Sequence, residues 1–579
     1  MATRKKPRKR TRRPRSSNSP FGGRRVVSQH SDRGSGIRRT GQRNRDTRSS
    51  LENWLHLQAT GEPPWRYLPI VLAAAFGIRA AVALAGDFVL HPDEIMQYLE
   101  PAHRLAFGNG VIYWEYFYGA RSWLVPGAIA GALKLFELAG AAQPAWYVAG
   151  VKLGFCVVSL AIPAGMYFFA RRHFCERSAR VALVAGAFWY ELAGFAHKPM
   201  TEFVATALLL ALLALVARQS AQDAWTVPCS AFLAVFASAV RFQYAPVALG
   251  LLAVLFVRTK KRMQLVIAAT AFMLAIGVFD AVTWDGGLFH SYVTNIRFNL
   301  VLGEMRTGES PPYQYLKWLL VAGGGLSALA AGAAVFRPRR YGFLLALIAL
   351  VLAMHSLQAH KEYRFVFTAI PIWLLIASDI WARFARVSSG VGTLAASVFA
   401  AVSFAGLANA LPGQGNVYKA WSNESGAVVF VAEQDPIFAA YRYLAVAPGV
   451  KGVWQVDRPY FGLPGYYYMH HDVPLYDQGT GRAIATDVES IRASVSHIVT
   501  GDPATVIPGY MVEWEFGGIR ILRREEDSVD VRNWEARTPT IVGDLQRRIM
   551  DQIASSPKSP PVNAGIRFVG SHGTEGDPR

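Results

Sequence analysis

Two charged clusters carry the residue types that chemistry needs. The first is His91-Pro92-Asp93-Glu94, with Gln97, Glu100 and His103 close behind. It places three carboxyl groups and two imidazoles directly after a long apolar segment. Trp114-Glu115-Tyr116, Arg121-Ser122 and Pro126 continue it. The second is His360-Lys361-Glu362-Tyr363-Arg364, set between two apolar segments. Charge at the edge of a membrane span is costly unless it is paired or put to use. Carboxylates and cations around one cavity suit transfer of a sugar from a lipid phosphate. A carboxylate takes the proton of the acceptor hydroxyl, contributing about 10²–10⁴-fold. Cations stabilise the charge that grows on the departing phosphate, and Arg suits bidentate phosphate contact. Aromatic side chains offer flat faces to a sugar ring.

Each residue also has a plainer reading. Pro at the first helical position followed by two acids is a common helix start, because the acids suit the positive end of the macrodipole. Glu100 and Arg104, four apart, fit a surface ion pair. Trp114, Tyr116 and Tyr118 fit an interfacial aromatic belt. Arg241, Arg297, His197-Lys198 and Glu202 each fall at the end of an apolar segment, where one charge alone fits an anchor. Snorkelling does not explain His-Lys-Glu-x-Arg as readily.

The elements that position these residues are membrane spans. The 579 residues are 52% hydrophobic and 17% charged, with mean hydropathy +0.20. Soluble domains usually carry about 25% charge. The sequence predicts a polytopic α-helical membrane protein of eleven spans. They fall near residues 67–90, 144–170, 178–196, 200–217, 225–240, 243–257, 263–283, 315–336, 341–358, 364–383 and 390–411. Basic loops at 171–180, 258–262, 337–340 and 383–386 belong in the cytoplasm by the positive-inside rule. Counting 122–140 as a span would turn those loops outward, so it reads as a re-entrant or surface-lying helix. Residues 91–143, 197–199, 284–314 and 359–363 then face the non-cytoplasmic side. Both charged clusters share that side.

The termini differ from the middle. Residues 1–62 read as a disordered cytoplasmic tail, since the first fifty carry 17 Lys/Arg against 2 Asp/Glu and almost no large apolar side chains. The tail fits an anchor facing anionic lipid heads, and nucleic acid is not the expected partner. Residues 63–411 form the membrane domain. Residues 412–552 read as a small α/β domain on the outer side. Its expected elements are strands at Val428–Val431, Val453–Val456 and His497–Thr500, a helix opened by Asp435-Pro436, and a hairpin of Tyr510–Phe516 with Ile519–Arg523. The Tyr466–Tyr468 run reads as a strand packed on the membrane domain. Residues 553–579 read as a loose tail. Cys156, Cys175 and Cys229 show no zinc-like spacing.

The first cluster, with Gly110 and the Trp-Glu-Tyr and Arg-Ser pieces, resembles the first outer loop of glycosyltransferase family 22. These are lipid-phosphate-mannose-dependent α-mannosyltransferases of the GT-C superfamily. His360-Lys361-Glu362-Tyr363-Arg364-Phe365 with Pro371 resembles the family's second hallmark. Pro464-Gly465-Tyr466-Tyr467-Tyr468 through Pro474 resembles the outer domain of bacterial members. The resemblance implies a GT-C fold and inverting transfer from a polyprenyl-phosphate sugar, with no metal and no other cofactor. It implies Asp93 as catalytic base with Glu94 in support, and His360, Lys361 and Arg364 at the donor phosphate. Glu202 is similar to the family's carboxylate at the outer start of a span. His91, Gln97, Glu100, His103, Trp114, Glu115, Arg121, Arg297, Asn299 and Glu362 are the remaining candidates for substrate contact.

The implied partners are the lipid-linked donor, a glycan or glycolipid acceptor and the bilayer. Gly303 to Pro312 departs from the family's Gly-x-His-Pro-Trp-like run, which leaves the acceptor open. A different lipid-linked sugar remains an alternative to mannose, and a transporter or flippase is the alternative of another class. A bacterial inner membrane is favoured over the endoplasmic reticulum.

Overall fold

The computed structural model describes residues 65–89, 91–218, 225–301, 310–323, 332, 334–387, 389–408, 435–478, 493–525, 540–541, 547–548, 550–552 and 555. They fall in one compact unit. The expected basic tail, the strand at Val428–Val431 and most of Gly303 to Pro312 lie outside them.

The fold is mostly helical. Four stretches are long and apolar enough to cross a membrane: Leu68–Ala85, Pro144–His173, Arg262–Trp284 and Pro338–Ser356. Thr201–Val216, Thr226–Val240, Phe242–Arg258 and Gly392–Leu407 are shorter apolar helices. Thr201–Val216 is buried along most of its length. It packs between Ala161–His173 and Thr226–Val240. A central helix must be apolar all round, so its one acid, Glu202 in the first turn, requires partners.

Buried polar anchors tie the helices together. Arg79 is fully buried, and its guanidinium donates to the carbonyls of Ala187 (2.6 Å) and Gly186 (2.9 Å). Glu176–Phe188 ends there. At Trp189 the backbone turns extended, and Tyr190–Gly194 follows as a separate short helix. The span expected at 178–196 is therefore broken. The first helix also stops sooner than expected, at Ala85, because Gly86 is extended. Asp87 beyond it is bound by Lys152 and Arg442.

Leu124–Leu138 occupies the stretch expected as a re-entrant or surface helix. Val125, Ile129 and Leu133 are buried against Glu100–Phe107, while Leu135 and Leu138 are exposed.

The C-terminal region supplies a helix and a sheet. Asp435 caps Pro436–Leu444, its side chain accepting from the Ile437 amide at 3.2 Å. The strands are β1 (Ile112–Tyr113), β2 (Val453–Gln455), β3 (Leu475–Tyr476), β4 (His497–Thr500), β5 (Tyr510–Phe516), β6 (Ile519–Arg524) and β7 (Thr540–Ile541). The main sheet has the order β3-β2-β4-β6-β5. Its β3, β2 and β4 run parallel, and β5–β6 is an antiparallel hairpin. Gly517 and Gly518, both at positive φ, make the hairpin turn. β1 pairs with β7 in a separate ribbon.

Tyr466–Tyr468 departs from expectation. It is a short helical turn, Tyr466–Met469, rather than a strand. Gly465 precedes it at φ +71, and the turn's first amides meet a buried carboxylate. A β-rich composition yields here to local hydrogen bonding. One hydrophobic core runs from the apolar helices into this turn and the helix Pro436–Leu444. Trp454, Ile498, Tyr510 and Leu522 form a smaller core on the sheet.

Candidate active site

The two charged clusters meet. Arg364, in the single turn Tyr363–Val366, reaches the first cluster across 271 residues of sequence. Its Nη2 donates to Asp93 Oδ2 at 2.7 Å. Its Nε donates to Glu362, and its Nη1 lies 3.7 Å from Glu202 Oε1. One guanidinium thus serves three carboxylates, a planar geometry that Lys cannot reproduce.

His91 completes this knot. Its Nε2 lies 3.5 Å from Glu362 and 3.4 Å from Arg364. Its Nδ1 accepts the Asp93 amide proton at 3.2 Å. His360 Nε2 sits 2.8 Å from Glu362 Oε1. Burial alone would raise the Asp93 carboxyl, but His91, Arg364 and Arg121 hold it well below the usual carboxylate range. Burial acts on Glu362 in the same way, and Arg364 with His91 outweighs it, so Glu362 is also ionised.

Glu94 behaves differently. Its Oε2 lies 3.2 Å from Lys198 Nζ, and its Oε1 accepts the His91 amide at 3.4 Å. That second bond is a capping-box contact, so the plain helix-start reading of Glu94 holds. From Glu94 to Leu99 the chain winds wide, with the Glu100 amide bonding Ile95 O five residues back. Such wide turns are rare and often sit at functional sites.

Gln97 and Glu115 form a layer beneath. Gln97 Nε2 donates to Glu115 Oε1 at 2.9 Å, and Tyr116 OH donates to Gln97 O at 2.7 Å. Burial pushes the Glu115 carboxyl up to about 7, with Arg121 opposing and Asp93 assisting.

Other candidates lie apart from this layer. Glu100 is fully buried. Its two oxygens accept the amides of Val111 and Tyr467, each at 2.8 Å. It joins the loop to the C-terminal turn and makes no surface pair with Arg104. His103 is equally buried, with Nδ1 2.8 Å from Asn109 O and Nε2 2.9 Å from His470 Nδ1. Lys361 Nζ donates to the carbonyls of Ser356 and Gln358, closing the end of Pro338–Ser356. Trp114 stacks on Phe298, ring centroids 4.0 Å apart. Asn299 Nδ2 donates to Asn295 at 2.8 Å. Arg297 shares that helix, His290–Val301, and is half-buried.

Several site residues are not marked by motif spacing. Tyr98 OH and Thr201 Oγ1 are 2.9 Å apart beside Glu202. Arg241 Nη2 lies 3.2 Å from Glu202 Oε1. Lys198 is the partner of Glu94. The available signal was a charge or hydroxyl at the end of an apolar segment. Among the described residues, no group of three or more His, Cys, Asp and Glu side chains is arranged to hold a metal ion.

A model of the Alg9-like mannosyltransferase family matches residues 70–433, more than half of the chain and all of this site. The protein belongs to that family. GPI mannosyltransferase 3 of Yarrowia lipolytica is 29% identical over 345 residues, 54% of this chain and 62% of that relative. GPI alpha-1,2-mannosyltransferase 3 of Xenopus laevis is 23% identical over 443 residues, 70% and 73% of the two chains. The match thus spans about three fifths of the Yarrowia relative's length.

Among solved structures, ArnT from Cupriavidus metallidurans bound to undecaprenyl phosphate aligns with TM-score 0.52 and 12% identity. That alignment covers 82% of this chain and 99% of ArnT. Its apo form gives 0.50. This family member therefore shares the GT-C-type fold of ArnT.

Proposed function

We propose that this protein is an inverting glycosyltransferase that moves mannose from a polyprenyl-phosphate donor to a glycan or glycolipid acceptor. The contact between Asp93 and Arg364 carries the reading. It puts an ionised carboxylate and a cation side by side, although the two residues are distant in sequence. Family membership supports mannose as the sugar. The apolar helices support a lipid-linked donor.

In this reading an Asp93 oxygen accepts the proton of the acceptor hydroxyl. The hydroxyl oxygen attacks C1 of the sugar from the face opposite the phosphate. The C1–O bond breaks, and its electron pair leaves with the polyprenyl phosphate. The configuration at C1 inverts. Arg364 holds Asp93 ionised and oriented before the acceptor arrives. Glu94, locked by Lys198, supports the loop rather than taking the proton.

The site faces the non-cytoplasmic side, because the basic loops at 171–180, 258–262 and 337–340 belong in the cytoplasm. Localisation in a bacterial inner membrane remains the favoured assignment, with the endoplasmic reticulum as the alternative.

The test is transfer of labelled mannose from a polyprenyl-phosphate donor by the purified protein. Transfer that requires Asp93 is expected. Full activity in a folded Asp93→Asn variant would overturn the assigned base.

A further inference from the structure

The loop that carries Asp93 is bound by the C-terminal region at both ends. At its start, the Asp87 carboxylate takes Lys152 on one oxygen and Arg442 on the other. Arg442 stands on the helix Pro436–Leu444. The amide of Asp435, which caps that helix, donates to Asp87 O at 3.1 Å. Tyr468 OH lies 3.4 Å from Asp87 Oδ1. At the far end, Glu100 takes the Tyr467 amide, and Asn109 Nδ2 donates to His471 O at 3.1 Å.

The two cations on Asp87 come from different elements. Lys152 belongs to Pro144–Ser159 and also donates to Ala83 O (3.0 Å) and Gly86 O (3.1 Å), so it fixes the end of the first helix. Arg442 ties the same carboxylate to the C-terminal helix. A largely buried carboxylate is tolerated only with such partners.

A lysine carries this hold from Asp87 towards Asp93. Lys198 Nζ donates to Phe88 O at 2.5 Å and lies 3.2 Å from Glu94 Oε2. Residues 88 and 94 are thereby tied to one ammonium group, and Asp93 sits inside the closed loop. Fully extended, the chain from 88 to 94 would span about 20 Å. The staple removes that slack, so a shift at Asp87 reaches the acids instead of being absorbed by the backbone. A catalytic group has to be held within about 0.5 Å by the contacts behind it.

We propose that Asp87 is a positioning residue for Asp93, and that the C-terminal region acts on the transfer reaction through the Asp87–Arg442 ion pair. The inference rests on the transferase reading, because it concerns where the base of that reaction stands. It gives the C-terminal region a task in the chemical step that needs no contact with substrate.

The experiment uses the purified full-length protein in detergent, with Asp87→Asn, Arg442→Ala and Arg442→Lys. A misplaced base should lower kcat about tenfold in Asp87→Asn and in Arg442→Ala. KM for the polyprenyl-phosphate donor should stay unchanged, because no substrate contact is removed. The acid limb of kcat/KM should move to higher pH as Asp93 drifts from Arg364. Loss of the Asp87 charge would by itself move the limb the other way, and partial unfolding would lower the rate without moving it. An upward shift in Asp87→Asn therefore reports position. Arg442→Lys keeps the charge and should retain most of kcat.

Asp87 and Arg442 line a cavity of about 790 Å³, so a small cation from solution can take the place of the lost guanidinium. Millimolar guanidinium ion should restore part of kcat in Arg442→Ala, and neutral urea should not. Arg442→Ala carries the test if Asp87→Asn does not fold, since Lys152 still holds Asp87 there. Amide hydrogen exchange over residues 91–99 should be faster in both variants than in the native protein.

Native kcat in folded Asp87→Asn and Arg442→Ala overturns the proposal. So does a loss of kcat with the acid limb unmoved and exchange over 91–99 unchanged. Failure of the transferase reading is distinguishable, because exchange needs no turnover. It would show as faster exchange in the variants with no transfer of labelled mannose by the native protein.

Discussion

Glu94 Oε2 and Lys198 Nζ form a buried ion pair at 3.2 Å, and this pair gives two adjacent acids different work. The Glu94 side chain is 5% exposed and also holds the His91 amide. The Asp93 side chain is 15% exposed and, among the described residues, pairs with Arg364 and His91. Asp93→Asn should lower kcat about 10²–10⁴-fold, the range of a lost general base; Arg364 keeps Glu362 and Glu202, so the loss of thermal stability should be the smaller of the two. Glu94→Gln should instead lower the unfolding temperature and leave kcat within about tenfold, because Lys198 loses its buried partner. Paired kinetics and thermal melts separate the two, and similar kcat losses in both would contradict the division.

Arg364 is the hub of the site, so its loss should damage stability and chemistry together. Arg364→Gln leaves Asp93, Glu362 and Glu202 without their shared counter-charge. Breaking a buried pair by removing one partner costs about 3–5 kcal/mol. The Asp93 carboxyl should also rise, since the pull of Arg364 is one cause of its low value. The acid limb of kcat/KM against pH should therefore move to higher pH. Arg364→Lys should restore part of the stability but not the three-way geometry.

The sequence made the meeting of the clusters legible for a physical reason. Charge beside apolar spans must be paired or used, and both clusters fall on one side by the loop charges. The helix started by Asp435-Pro436, the strand His497–Thr500 and the hairpin around Gly517-Gly518 were legible through local turn and capping chemistry. The pairings within the site were not. Arg241 with Glu202, and Lys198 with Glu94, depend on how helices pack. Glu100 illustrates the limit. Its i,i+4 spacing to Arg104 suggested a surface pair, and its actual partners are two backbone amides, one of them 367 residues away.

Gly465 should tolerate no side chain. Its φ of +71 disfavours other residues, and an added Cβ would stand 2.4 Å from Glu100 Oε1. Gly465→Ala should destabilise the protein by about 1–3 kcal/mol from backbone strain alone, and by more if the Glu100–Tyr467 bond breaks. Limited proteolysis of the C-terminal region reports the damage. Gly449→Ala is the control, because its φ is also positive (+73) and nothing lies within 4 Å of the added Cβ. Equal susceptibility in the two variants would show that strain, not the Glu100 contact, decides the outcome.

The loop and the C-terminal turn should respond to pH through two buried groups of opposite sign. Burial pushes Glu100 up to about 7, against the amides of Val111 and Tyr467. Its raised pKa means that the folded state holds the proton more tightly than the unfolded chain. The resulting stability is complete below about pH 4.5 and is lost as pH rises to about 7. Burial pushes His103 down to about 3, against its bond to Asn109. Its stability is complete above about pH 6.5 and is lost as pH falls towards 3. Each group changes stability by at most about 1.4 kcal/mol per pH unit. His103→Gln removes the second titration while keeping a side chain of similar reach. The stability advantage of the native protein over this variant should therefore shrink steadily as pH falls from 6.5, measured by denaturant unfolding at several pH values. An advantage that grew on acidification would mean that His103 gains its proton in the folded state, with His470 and Asn109 rearranged to accept it.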